Sequence, residues 1–153
     1  MAIDWEAWKI LLREWEGGHE ADPDQGYGRF SIGFDLDENI LVSKSRTVFP
    51  ATKERAGYAH DDLLIIYSEF SRTKRAIYFD NEQHTIHYEV SISSDQKMIT
   101  LESDPLPSTP QFRFTYIKTG KDTINARFEM APPGMPGALS LYLEGTSKRI
   151  SPS

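Results

Sequence analysis

Residues 111–130 read QFRFTYIKTGKDTINARFEM, and this stretch decides the fold. Between Gln111 and Lys118 the aromatic residues Phe112, Phe114 and Tyr116 alternate with Arg113 and Thr115. After Thr119-Gly120-Lys121-Asp122 the alternation resumes, with Ile124, Ala126, Phe128 and Met130 set against Asn125, Arg127 and Glu129. A period of two is that of a β-strand, whose successive side chains point to opposite faces. The Gly and Asp between the two runs are turn chemistry. The segment predicts two antiparallel strands joined by a short turn.

The pattern extends outward in both directions. Upstream strands are predicted over 28–36, 40–49, 58–70, 74–79, 84–92 and 97–103, and downstream over 139–150. Asp37-Glu38-Asn39, Asp80-Asn81-Glu82, Ser94-Asp95-Gln96 and Pro132-Pro133-Gly134 punctuate them. With a first strand near Trp15, that makes about ten strands. Short connectors favour antiparallel neighbours, because parallel strands need long crossovers. Strand content this high suits a closed up-and-down barrel, which has no free edges. The fold class expected is all-β, one domain over residues 1–153, with a short N-terminal helix capping one end.

That helix is expected over 4–15. Trp5, Trp8, Leu12 and Trp15 are spaced to share one helical face, Asp4 suits the N-cap, and Gly17-Gly18 suits the stop. Trp15 also suits the first residue of a strand. The Trp stripe would plug the barrel end, with a ligand-gating lid as the alternative.

Composition narrows the function. The chain has 153 residues, 17 Lys plus Arg, 23 Asp plus Glu, a net charge of -6 and no Cys. This excludes disulfides, Zn–thiolate sites and thiol nucleophiles. The acidic balance opposes nucleic-acid binding. No apolar run approaches the roughly 18 residues of a membrane span. Met1-Ala2-Ile3 followed by Asp4 and Glu6 is unlike a secretory signal, so a cytoplasmic location is expected.

Sorting the strands by alternation gives two faces. One holds Ile86, Tyr88, Val90, Phe114, Tyr116, Phe128, Met130, Leu141 and Leu143, and the other holds His87, Glu89, Arg113, Arg127, Glu129, Tyr142 and Glu144. The first set is expected inside and the second outside as cross-strand ion pairs. The reverse would let Arg113 and Arg127 grip a carboxylate ligand, but at a large desolvation cost. A barrel wider than eight strands leaves interior room. The expected partner is a small apolar or amphipathic molecule, bound by Tyr88, Phe114, Tyr116, Phe128, Met130 and Tyr142. Aromatic residues that merely fill the core, and a homodimer scaffold, are the alternatives.

Chemical motifs are sparse. His84 and His87 form H-x-x-H, but on a strand they diverge, so no shared metal is expected. His60-Asp61-Asp62 suits a proton-transfer or metal site, with a solvated strand end preferred. Asp22-Pro23-Asp24-Gln25-Gly26 has Gly33 where a calcium loop needs Glu, so it reads as a turn. No G-x-S-x-G elbow is present. No catalytic or metal residue is assigned.

Several stretches carry a family resemblance. They are Leu12-Arg13-Glu14-Trp15-Glu16-Gly17, Ile77-Tyr78-Phe79-Asp80, Ile86-His87-Tyr88, Arg127-Phe128-Glu129-Met130-Ala131 and Leu143-Glu144-Gly145-Thr146-Ser147-Lys148-Arg149. The chain resembles the calycin superfamily, which includes lipocalins, fatty-acid-binding proteins and nitrobindins. Within it the chain looks like a bacterial group of uncharacterised lipocalin-like barrels. The resemblance implies that a basic residue of the last strand covers the first-strand Trp. That would be Arg149 over Trp15, with Lys148 as the alternative. Nitrobindins hold haem through a last-strand His, and the matching position here is Tyr142. Tyr ligates ferric haem in catalase. The expectation is therefore no cofactor, with haem on Tyr142 as the alternative.

Overall fold

A computed structural model describes residues 2–18, 26–70 and 73–150. Of the turn expected at 22–26 only Gly26 is described. A 3-10 helix, Glu6–Leu11, precedes ten strands. These are β1 Arg13–Gly18, β2 Tyr27–Asp35, β3 Ile40–Phe49, β4 Tyr58–Ser68 and β5 Lys74–Asp80. They continue as β6 Thr85–Ile92, β7 Met98–Ser103, β8 Gln111–Lys118, β9 Thr123–Ala131 and β10 Ser140–Arg149. Each strand pairs antiparallel with its sequence neighbours, and β1 pairs with β10 to close the barrel. No helix among the described residues is long and apolar enough to cross a membrane.

The N-terminal segment departs from the expected α-helix over 4–15. In a 3-10 helix side chains three apart eclipse, so Trp5, Trp8 and Leu11 form the buried face. Leu12 is already extended and Arg13 has φ 86°, which turns the chain into β1. Trp15 therefore belongs to the strand, and Gly17 and Gly18 lie within it. The helix stops there because side chains take over its orphan carbonyls. Trp15 Nε1 donates to the Leu11 carbonyl at 2.9 Å, and Arg149 donates to those of Ile10 and Leu12.

Residues opposite one another across a ladder share a face. Phe112 pairs with Met130, Phe114 with Phe128 and Tyr116 with Ala126, and these face the core. Arg113 pairs with Glu129 on the outside, through Nε–Oε1 at 3.0 Å and NH2–Oε2 at 2.8 Å. Arg127 reaches Glu144 at 3.6 Å. Neither Arg is available to a carboxylate inside the barrel. The Arg113–Glu129 pair is bidentate and part-buried, with the Glu129 side chain 14% exposed, so Arg113→Ala is expected to cost about 1–2 kcal/mol in urea unfolding. A loss of several kcal/mol would show that the outer ladder matters more than its exposure suggests.

β10 carries a second departure. Leu141 pairs with Glu129, whereas Leu143 pairs with Phe128. Tyr142 is thus an extra residue, a β-bulge that shifts the alternation by one. Leu141, expected inside, faces out and is 57% exposed. Tyr142, expected on the polar face, instead sets its ring edge-on to Phe128, with centroids 5.8 Å apart.

Candidate functional site

The two barrel ends differ. At one, the 3-10 helix forms a plug. Trp5 Nε1 donates to the Glu38 carbonyl of the β2–β3 turn at 2.9 Å, and Lys74 Nζ lies 5.4 Å from the Trp5 ring. Trp8, Leu11 and Trp15 are fully buried. Arg149 seals the seam: its Cζ is 4.3 Å from the Trp15 ring centroid and its Nε is 3.0 Å from Asp122 Oδ1. The guanidinium thus joins the last strand to the first and to the helix.

The opposite end is open. Phe112, Phe128 and Met130 point inward by register, yet each is only partly buried. So is Asp62, which pairs directly with Asp80 across β4 and β5 on the inward row shared with Ser45. An inward residue that still meets water marks a lumen with room in it. Gly145 gives a second sign of that room. It faces inward opposite Ala126, and a Cβ built on it would meet no heavy atom within 4 Å.

Two unlike walls form this mouth. β8 and β9 supply the apolar one, where Phe112 stacks on Phe128 at 5.6 Å and Phe114 lies 6.4 Å from Phe128. β4 and β5 supply a polar one. His60 Nε2 sits 2.9 Å from the Tyr78 hydroxyl and 3.6 Å from Asp62 Oδ2, while its Nδ1 is 2.8 Å from Glu82 Oε1. Tyr78 donates to Asp80 Oδ2 at 3.1 Å. Deeper lie Tyr88, 3% exposed, and Tyr116 beside the buried Ser43.

The two carboxyls differ in kind. Asp80 has its side chain 2% exposed, but accepts from the backbone N–H of Glu82 and of His84 and from Tyr78, with His84 Nδ1 at 2.8 Å. Burial opposes its charge, yet these bonds hold its pKa below the usual carboxylate range. Asp62 has no such cradle. Burial pushes its pKa up to about 6, with Asp80 and Asp61 adding to the rise and His60 opposing it. Burial and the Asp62 charge also raise the phenols of Tyr78, Tyr88 and Tyr116. Three inward hydroxyls from three strands thus lie within the field of one carboxylate. Among the described residues no His, Asp or Glu group has metal-holding geometry. The cluster can accept hydrogen bonds, hold a positive charge and exchange a proton.

The residues singled out from sequence fall as follows. Tyr88, Phe114, Tyr116, Phe128 and Met130 all face inward. Tyr142 stands at the rim, 67% exposed. His60 and Asp62, read as a solvated strand end, face the lumen instead. The signal was available: His60 and Asp62 share parity with Leu64 and Ile66. It was masked because Leu63 and Ile65, of the other parity, are equally apolar. His84 joins Asp80 at the loop, while His87 points outward.

No protein-family model matches the chain, and no curated protein matches it. The closed ten-stranded antiparallel barrel itself fits a calycin-like fold.

Proposed function

We propose that the barrel binds a small apolar or amphipathic molecule non-covalently in its lumen, as a lipocalin-like protein does. The open wall at Gly145 carries this reading, because it marks unfilled space beside Tyr116, Phe128 and Ala126. Binding would be driven by burying apolar ligand surface, at about 25 cal/mol per Å². Entry would be at the end away from the Trp plug. Tyr88, Phe114, Tyr116, Phe128 and Met130 would line the bound molecule, with Tyr142 at the rim.

The test is titration with Nile red, a neutral dye that brightens in apolar surroundings. Saturable enhancement is expected for the natural sequence. Gly145→Leu places a side chain in the free space, so it should weaken dye binding at least about tenfold while the thermal midpoint barely moves. Unaltered dye binding in that variant would sink the lumen reading.

Haem on Tyr142, as in a nitrobindin-like protein, fits less well. A largely exposed phenol on a bulge is not a sheltered axial ligand.

A second reading has its own observation. Val42, Ile65 and Ile77 pair across β3, β4 and β5 on the outer face, and Leu63 pairs with Phe79 beside them. An open groove of about 650 Å³ runs over Leu63 and Phe79 and on across the charged Lys44, Arg46 and Asp61, beside that row. An outward apolar row of this kind suits a protein contact such as a homodimer. Light scattering across micromolar concentrations separates the readings, since a strict monomer removes the second.

A further inference from the structure

The lumen has a sign of charge as well as a shape. We propose that the ligand's head is an organic cation, an alkylammonium or guanidinium, held by Asp62 and the Tyr88 hydroxyl with its apolar body on Phe112, Phe114 and Phe128. This rests on the lumen reading above.

The distribution of charge is the first ground. Asp62 and Asp80 face inward at the open end, with Glu82 at its lip. By register the inward basic residues of the described strands, Arg13, Lys74, Lys118 and Arg149, all lie at the plugged end. Lys74 sits against Trp5, and Arg149 is occupied by Trp15, Asp122 and two carbonyls. Arg55 near the mouth stacks on Tyr58 and donates to the Pro50 carbonyl. Arg29, Lys44 and Arg46 are on the outer face. A carboxylate-headed ligand would therefore enter an acidic end whose inward imidazole, His60, is already engaged by Glu82 and Tyr78.

The second ground is a pair of groups left incomplete. Asp80 is saturated by its own loop, but Asp62 accepts no hydrogen bond among the described residues and meets only His60 Nε2, at 3.6 Å. Tyr88 is 3% exposed, and its hydroxyl, which is not sealed from water, has no protein partner among the described residues. Both residues face inward by register, and the phenol feels the Asp62 charge. Partly desolvated polar groups without full protein partners are open to donors that a ligand brings. An ammonium supplies donors to Asp62 and to the phenol oxygen, and the flanking aromatic faces attract it further.

The experiment compares three displacers of bound Nile red with one chain length and different heads: decylammonium, decanol and decanoate, all below micelle formation. Decylammonium is expected to act at a concentration at least about tenfold below decanoate, the scale of one charge-assisted hydrogen bond. Asp62→Asn should abolish that preference, and Tyr88→Phe should reduce it. Decanoate acting as well as the amine, or a preference that survives Asp62→Asn, overturns the assignment while leaving the lumen reading standing. Dye that binds but yields to none of the three also overturns it. Dye that never binds removes the lumen reading itself, which is a different result.

Discussion

Arg149→Ala is expected to destabilise the barrel by about 3 kcal/mol, because a single side chain there completes several groups at once. The guanidinium is 12% exposed and serves Asp122 together with the carbonyls of Ile10 and Leu12. Removing it leaves those acceptors to find water in a crowded seam. It also uncovers the Trp15 face, a stacking worth about 0.5–2 kcal/mol. For a domain of this size each kcal/mol moves the thermal midpoint by about 2–4 °C, so a fall of roughly 10 °C is expected by calorimetry. Arg149→Lys should recover only part of it, since an ammonium lacks the planar fork that reaches separate acceptors while stacking. Lys148→Ala, on the exposed neighbour, is the control and should change little. A loss below about 1 kcal/mol for Arg149→Ala would mean that the helix plug and β1 hold without the seam.

Asp62→Asn should do the opposite. The folded pKa of Asp62 is about 6, above the ordinary value near 3.9 of an unfolded chain. The folded state thus holds the proton more tightly than the unfolded one. Its contribution to stability is fully present below about pH 4 and is lost as pH rises through about 6. Above that, the ionised carboxylate costs the fold up to about 3 kcal/mol. Asparagine carries no charge to desolvate. Melts from pH 4 to 8 should show the variant and the natural protein converging at the acid end. By pH 7.5 they should be separated by about 5 °C in the variant's favour. Equal midpoints at every pH would show that water reaches Asp62 freely. An acid kept where it weakens the fold is one whose use lies outside folding.

Much of the architecture was legible in the chain, and the reasons are local. The runs around Phe112 to Tyr116 and Ile124 to Met130 alternate cleanly because one face is buried and the other carries ion pairs. The short turns between them force antiparallel neighbours. The N-terminal helix was misjudged because Trp5, Trp8 and Leu11 at a spacing of three suit a 3-10 turn, and nothing local announces that Trp15 and Arg149 will finish it from outside. The bulge at Tyr142 was invisible for the same reason, since it exists only in the pairing of β10 with Phe128 and Glu129. The polar wall was hidden by the apolar run Leu63 to Ile66. Period two cannot assign a face when both faces are apolar, and the parity of His60 and Asp62 follows only from the register with Ser45 and Asp80.

The order of the strands bears on the speed of folding. Every ladder but one joins consecutive strands, so nearly all pairings close short loops. The exception is β1 with β10, where Arg149 meets Leu12 across 137 positions. Loop-closure entropy makes such a contact late, after the rest of the sheet has curled. Interactions absent from the transition state act on the unfolding rate. The Trp15–Arg149 seam would therefore serve as a kinetic latch: it does little to hasten assembly, and it governs how rarely the finished barrel springs open.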